Sequence, residues 1–195
     1  HIYNLMSSIH AISPIDGRYH KATQSLQSYF SEAGLIRYRL KVEIAYLQAL
    51  SELDILGSDK VKLAEAGVQL SKWLETISDA DLERVKEIEK VTNHDVKAIE
   101  YIIKERLDEW NLSEVKEWVH FGLTSQDINN TAIPMSMKDA NLNVMYPLLE
   151  SVIHKMTEQA TAWMDQPMLA RTHGQAASPT RLGKEWAVFI ARIQG

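Results

Sequence analysis

Cysteine is absent from the 195 residues, which excludes disulfides, thiolate metal sites and cysteine nucleophiles and fits a reducing compartment. Glycine (8) and proline (5) are scarce. A sheet-rich domain of this length needs more turn formers, so long helices are expected. No apolar run approaches the roughly 20 residues that span a bilayer. No long basic run occurs either: 21 Lys and Arg stand against 26 Asp and Glu, a net charge of −5. Bulk charge therefore gives no support for nucleic-acid binding, although a few converging cations could still hold a small anion. The opening His1-Ile2-Tyr3-Asn4-Leu5 lacks the charged-then-apolar layout of a signal peptide and stays outside the fold argument. Internal repeats and low-complexity segments are missing. What is present is ordinary for a globular chain: 45% hydrophobic and 24% charged residues, in a length that suits one domain or two small ones.

The apolar residues recur at helical spacing almost throughout. Ser13-Pro14-Ile15-Asp16-Gly17-Arg18-Tyr19 reads as a turn. Leu35, Tyr38, Val42, Ala45, Ala49 and Leu53 then form a stripe at steps of three and four. Gly57-Ser58-Asp59 breaks it, with Ser58 as an expected N-cap. Leu63, Ala66, Leu70, Trp73 and Ile77 make the next face, and Leu82, Val85 and Ile88 follow the helix start at Ser78-Asp79-Ala80-Asp81. Thr92 and Asp95 resemble a capping pair ahead of Val96, Ile99, Ile103 and Leu107. Trp110-Asn111-Leu112-Ser113 is the best boundary, dividing an N-terminal helical domain (1–111) from the start of a long-helix bundle (112–195). Ser113 reads as a helix start, Asn143 to Trp163 as one long amphipathic helix with Pro147 near its beginning, Arg171 to Gln175 as a loop, and a last helix starts around Gly183. The fold class expected is all-α.

Three polar clusters interrupt this background, and helix entrances favour anions. Thr92-Asn93-His94-Asp95 suits anion binding or acid–base chemistry. His120-Phe121-Gly122-Leu123-Thr124-Ser125-Gln126-Asp127 offers two adjacent hydroxyls for a carboxylate. Taken alone, an ordinary helix cap explains either cluster better. In Arg171-Thr172-His173-Gly174-Gln175 a histidine lies in a Gly-containing loop between Arg and Gln, a setting suited to proton transfer. Here the functional and the structural readings stand level. Histidines 94, 120, 154 and 173 show no metal-ligand spacing, and no Gly-rich phosphate loop occurs. His154 reads as structural or exposed, and the five tryptophans as core or interface anchors.

Thr124-Ser125-Gln126-Asp127 followed by Thr172-His173-Gly174-Gln175 in a helical chain resembles the fumarase/aspartase superfamily. Ser13-Pro14-Ile15-Asp16-Gly17-Arg18-Tyr19, Thr92 to Ala98, and His120-Phe121 leading into Thr124 to Asn130 narrow the resemblance to the adenylosuccinate lyase family of bacterial type. It runs from about Ser13 to the chain end, and four motifs in order are far more specific than one. The resemblance implies a carbon–nitrogen lyase of purine biosynthesis. Such a lyase eliminates fumarate from adenylosuccinate to give AMP, and from the succinylated aminoimidazole carboxamide ribonucleotide. It works without a cofactor or a metal, as a cytoplasmic homotetramer, with no nucleic-acid or membrane partner.

The same resemblance implies residue roles. Arg18 and Tyr19 match the contacts to the nucleotide phosphate. Asn93, His94 and Asp95 match a substrate-binding segment, with His94 also helping to position or protonate the departing group. Thr124 and Ser125 match the hydroxyl pair that holds the succinyl part, and His173 matches the general acid. Ala176 and Ser178 stand where the family often has Pro and Thr, a change that bears on loop stiffness. The family's Ser-Ser-x-Met-Pro-x-Lys-x-Asn-Pro loop, with its base serine, has no counterpart in these 195 residues. An N-terminal portion without lyase activity of its own is therefore expected. The alternatives are another superfamily lyase, such as one for argininosuccinate, or a non-catalytic helical oligomerisation module.

Overall fold

The structure, a computed structural model, describes residues 10–53, 57 and 59–195; the N-cap expected at Ser58 lies outside them. The chain divides into two compact units, His1–Asp139 and Ala140–Gly195.

The first unit is helical. After a turn in which Gly17 N–H donates to the Ser13 carbonyl, the short helices α1 (His20–Thr23) and α2 (Gln27–Phe30) lead into α3 (Glu32–Ser51), α4 (Asp59–Glu75), α5 (Asp79–Thr92) and α6 (Asp95–Glu109). A 3-10 segment, Ser113–Trp118, precedes α7 (Ser125–Ala140). The starts follow from side-chain caps. Ser31 Oγ accepts from Gly34 N–H at the head of α3, and Ser78 with Asp81 forms the expected capping box at α5.

Ile36, Leu40, Ile44, Leu47 and Leu50 of α3 pack with Leu63, Ala66 and Leu70 of α4, Leu82, Val85 and Ile88 of α5, and Ile99, Ile103 and Leu107 of α6. The faces read from sequence for α4, α5 and α6 are thus the buried ones. For α3 the buried face is different: Ala45 and Ala49 are exposed. This helix carries apolar residues on more than one side, so a helical period fits two stripes and the packing partners choose between them. The 3-10 segment buries Val115 against this core, followed by Val119.

The second unit opens with a π-helical turn, Asn141–Met145, continuing into α8 (Tyr146–Ala162). The single helix expected from Asn143 is therefore α-helical only from Tyr146, and Pro147, which has no N–H to give to the preceding turn, follows the π-helical segment directly. A two-stranded antiparallel hairpin follows, β1 (Pro167–Thr172) and β2 (Gln175–Arg181), then α9 (Leu182–Gln194). Trp163 and Trp186 meet edge to face with centroids 5.8 Å apart. Gly183 closes on α8 so tightly that a Cβ there would stand 2.2 Å from the Ala160 carbonyl oxygen. The chain is predominantly helical, as expected, with this hairpin as the one sheet among the described residues.

Candidate functional site

The Thr92 cluster is a break between two helices. Thr92 ends α5, Asn93 takes the left-handed conformation (φ 51°), and His94 becomes the N-cap of α6. The cap is not the Thr92–Asp95 pair expected from spacing. His94 Nδ1 accepts from Lys97 N–H at 3.0 Å, whereas Thr92 Oγ1 donates to the carbonyls of Ile88 and His94. An imidazole occupied in this way has a bare Nδ1, so the proton of its neutral form sits on Nε2. Nε2 lies 3.2 Å from Ser125 Oγ. The first and second clusters therefore converge on one point, which neither sequence segment reveals alone.

Asp95 is fixed from below. Its Oδ2 accepts from Arg39 Nη2 at 2.5 Å, and Arg39 Nε donates to Asn129 Oδ1 at 2.9 Å. Burial acts against the Asp95 charge, but the Val96 N–H and the Arg39 guanidinium outweigh it and hold the carboxyl below the usual range. The Thr124 end is closed by Asp127: Thr124 N–H and Oγ1 both donate to Asp127 Oδ2, at 2.7 and 2.9 Å. The Thr124 hydroxyl proton is thus engaged by Asp127, while Ser125 Oγ faces His94. Beside them opens a cleft of about 520 Å³ lined by Lys86, Glu89, Lys90, Asn93, His94 and Asp95.

Residues on α3 that sequence reasoning passed over support this arrangement. Arg39, Glu43 and Tyr46 lie along one face of the helix at steps of four and three. Arg39 binds Asp95 and Asn129. Glu43 Oε1 lies 2.5 Å from His120 Nδ1, and Tyr46 OH donates to the Phe121 carbonyl at 2.8 Å. The available signal was a basic and an acidic side chain set among Ile36, Leu40, Ile44 and Leu47, where charges are buried only when paired.

Arg18 and Tyr19 sit in the N-terminal turn. The guanidinium lies over the Tyr19 ring, 4.7 Å from its centroid. Among the described residues, neither side chain shares a hydrogen bond or ion pair with the His94 group.

His173 belongs to the second unit. The loop expected around it is the two-residue turn of the hairpin, with Thr172 and Gln175 paired across it. His173 (φ 53°) and Gly174 (φ 76°) both have positive φ, the pattern of a type I′ turn. Such a turn favours Asn-Gly, and a histidine in its first central position is uncommon. The imidazole is thereby carried, exposed, on the tip of the hairpin.

Comparison with known proteins gives the chain a family. A family model described as Lyase matches residues 17–195. The chain is 48% identical to an adenylosuccinate lyase of Dictyostelium discoideum, over 97% of this chain and 41% of that protein. It is 43% identical to one of Vibrio cholerae, over 97% and 42%. The chain thus spans about two fifths of the length of these relatives. Among solved structures, a fumarate lyase from Mesorhizobium superposes with a TM-score of 0.68 at 23% identity, covering 88% of this chain and 37% of that one. A β-carboxy-cis,cis-muconate cycloisomerase from Acinetobacter calcoaceticus gives 0.62 at 22%, covering 88% and 38%. These two share the fold. On the family match across nearly its whole length, the chain belongs to the lyase family.

Proposed function

We propose that this chain is the N-terminal portion of an adenylosuccinate lyase, eliminating fumarate from adenylosuccinate and from the succinylated aminoimidazole carboxamide ribonucleotide. The observation that carries this reading is the contact of His94 Nε2 with Ser125 Oγ. It joins two motifs 31 residues apart beside an open cleft, in a chain whose relatives bear that name.

The chemistry follows from the groups available. A base from outside these 195 residues removes the proton beside a succinyl carboxylate. The aci-carboxylate that forms is stabilised by donors fixed in advance; Ser125 and the Thr124 turn supply them at the succinyl end. Asn93, His94 and Asp95 hold the substrate, and Arg18 with Tyr19 holds the phosphate. His173, as imidazolium, gives its proton to the nitrogen as the C–N bond breaks. AMP and fumarate leave, with no cofactor needed.

The division into an N-terminal helical domain (1–111) and the opening of a central bundle (112–195) belongs to the same proposal. So do a homotetramer and a cytoplasmic location. Leu148, Leu149 and Val152 on α8 and Phe189 and Ile193 on α9 are exposed, apolar surface suited to packing against further copies. No helix among the described residues is long and apolar enough to cross a membrane.

Fumarate release from adenylosuccinate by the full-length subunit, followed by absorbance, tests the reading. Argininosuccinate serves as the competing substrate, and AMP and arginine as competing ligands. Turnover of adenylosuccinate with AMP binding is the expected result. Arginine binding without AMP binding would overturn it.

A further inference from the structure

The turn that delivers Thr124 and Ser125 is strained and is anchored from elsewhere. His120 has φ 60° and Gly122 φ 72°, so two of its residues occupy the left-handed region, one of them a histidine. Two α3 side chains grip it: Tyr46 through the Phe121 carbonyl and Glu43 through His120. Glu43 is 1% exposed, and its second oxygen, Oε2, is buried without a hydrogen-bond partner. A bare carboxylate in that position would be an uncompensated buried charge, which costs several kcal/mol by order of magnitude. A proton on the Oε1···Nδ1 axis, with Nε2 of His120 protonated as well, leaves the pair neutral overall and removes that charge. Burial pushes the Glu43 carboxyl up, against the opposing pull of His120. The charges around the pair are Glu100 on α6, itself held by Lys97 and Lys104, and Asp127 on α7.

We infer that Glu43 and His120 are a buried positioning pair, sharing one proton on the Oε1···Nδ1 axis, that sets the Thr124–Ser125 turn and so the site for the succinyl carboxylate. Neither residue touches substrate. They act through Ser125, one helical entrance away, and the inference rests on the functional reading above only for the identity of the ligand. A positioning pair of this kind affects one end of the substrate, whereas damage to the core affects both ends together.

The test uses Glu43→Ala, Glu43→Gln and His120→Gly in the full-length subunit. His120→Gly deletes the ring while relieving the positive φ, so the turn can still form. Fumarate inhibition probes the succinyl end and AMP binding the nucleotide end. Glu43→Ala and His120→Gly should weaken fumarate about 10- to 100-fold while leaving AMP within roughly 3-fold, since a displacement near 1 Å has effects of that order. Glu43→Gln, which keeps a neutral hydrogen bond to His120, should restore fumarate binding. The inference is overturned if fumarate binding is unchanged, if fumarate and AMP weaken in parallel, or if Gln is as damaging as Ala. Amide hydrogen exchange gives an independent readout: Glu43→Ala should speed exchange at Thr124–Ser125 and spare α5. A wild-type protein inactive on adenylosuccinate would sink the functional reading alone, and the exchange result would then decide the pair.

Discussion

Ser125 Oγ stands 3.2 Å from His94 Nε2, and the same imidazole caps helix α6 through Nδ1. One side chain thus does two separable things, because its two nitrogens face different partners. A histidine used only as a cap leaves Nε2 to water; here Nε2 meets a hydroxyl from the next polar cluster.

The two functions can be divided by mutation. In His94→Asn the side-chain oxygen reproduces the acceptor at Nδ1 but cannot reach Ser125. In His94→Gln the amide reaches towards Ser125 and gives up the cap. The Asn variant should keep stability within about 0.5 kcal/mol and lose substrate affinity, whereas the Gln variant should lose about 1 kcal/mol of stability. Denaturant unfolding beside substrate titration distinguishes them. Equal stability for both would show that the Lys97 contact contributes nothing.

His173→Asn is the corresponding experiment in the second unit. Asn-Gly is the favoured type I′ turn, so the hairpin should stay folded or gain slightly while the proposed acid is lost. Turnover by the full-length enzyme should fall about 10²- to 10⁴-fold, the usual contribution of a positioned acid. Unchanged turnover would remove His173 from the mechanism.

The parts of this molecule that were legible in the sequence are those governed by local rules. The capping box at Ser78 and Asp81 needs only its own four residues. The buried stripes of α4, α5 and α6 need only a polar opposite face. The face of α3 is not legible in the same way, because Ala45 and Ala49 extend a second apolar stripe beside Ile44 and Leu47, and the packing partners decide between them. The strands flanking the loop at Arg171 to Gln175 are not legible in the sequence because β1 and β2 lack alternation; both of their faces are largely exposed. Glu43 and Arg39 escaped notice for the same reason as the His94–Ser125 contact: their partners lie 56 to 90 residues away. Family resemblance reached Asp95 and Ser125 but not the α3 side chains beneath them.

Gly183→Ala should be poorly tolerated. The added methyl would meet the Ala160 carbonyl oxygen at 2.2 Å and the Met164 backbone at 2.8 Å, and backbone cannot yield as a flexible side chain can. Overpacking of this kind costs about 1–3 kcal/mol or more. The loss should appear as loosening of α9 against α8, read by tryptophan fluorescence of the Trp163–Trp186 pair. A variant with unchanged emission and unfolding midpoint would contradict the packing described.

Acid sensitivity provides the last test, and its sign follows from Asp81 and Asp95. For both, burial opposes ionisation but is outweighed. At Asp81 the Ser78 N–H and hydroxyl and the Arg106 guanidinium prevail, and at Asp95 the Val96 N–H and Arg39 prevail. A carboxyl held below its unfolded value contributes stability that is complete above the unfolded pKa, near 4 for Asp, and is lost as pH falls through the folded value. The chain should therefore lose stability below about pH 4, where these two groups take up protons. Asp81→Asn and Asp95→Asn should each flatten that acid limb while lowering the neutral plateau. Arg39→Ala should flatten it too, at a cost of about 1–3 kcal/mol, kept modest because Asp95 is 46% exposed and water screens the pair. An acid limb unchanged in all three variants would mean that these ion pairs, including the one beneath the candidate site, add nothing to folding.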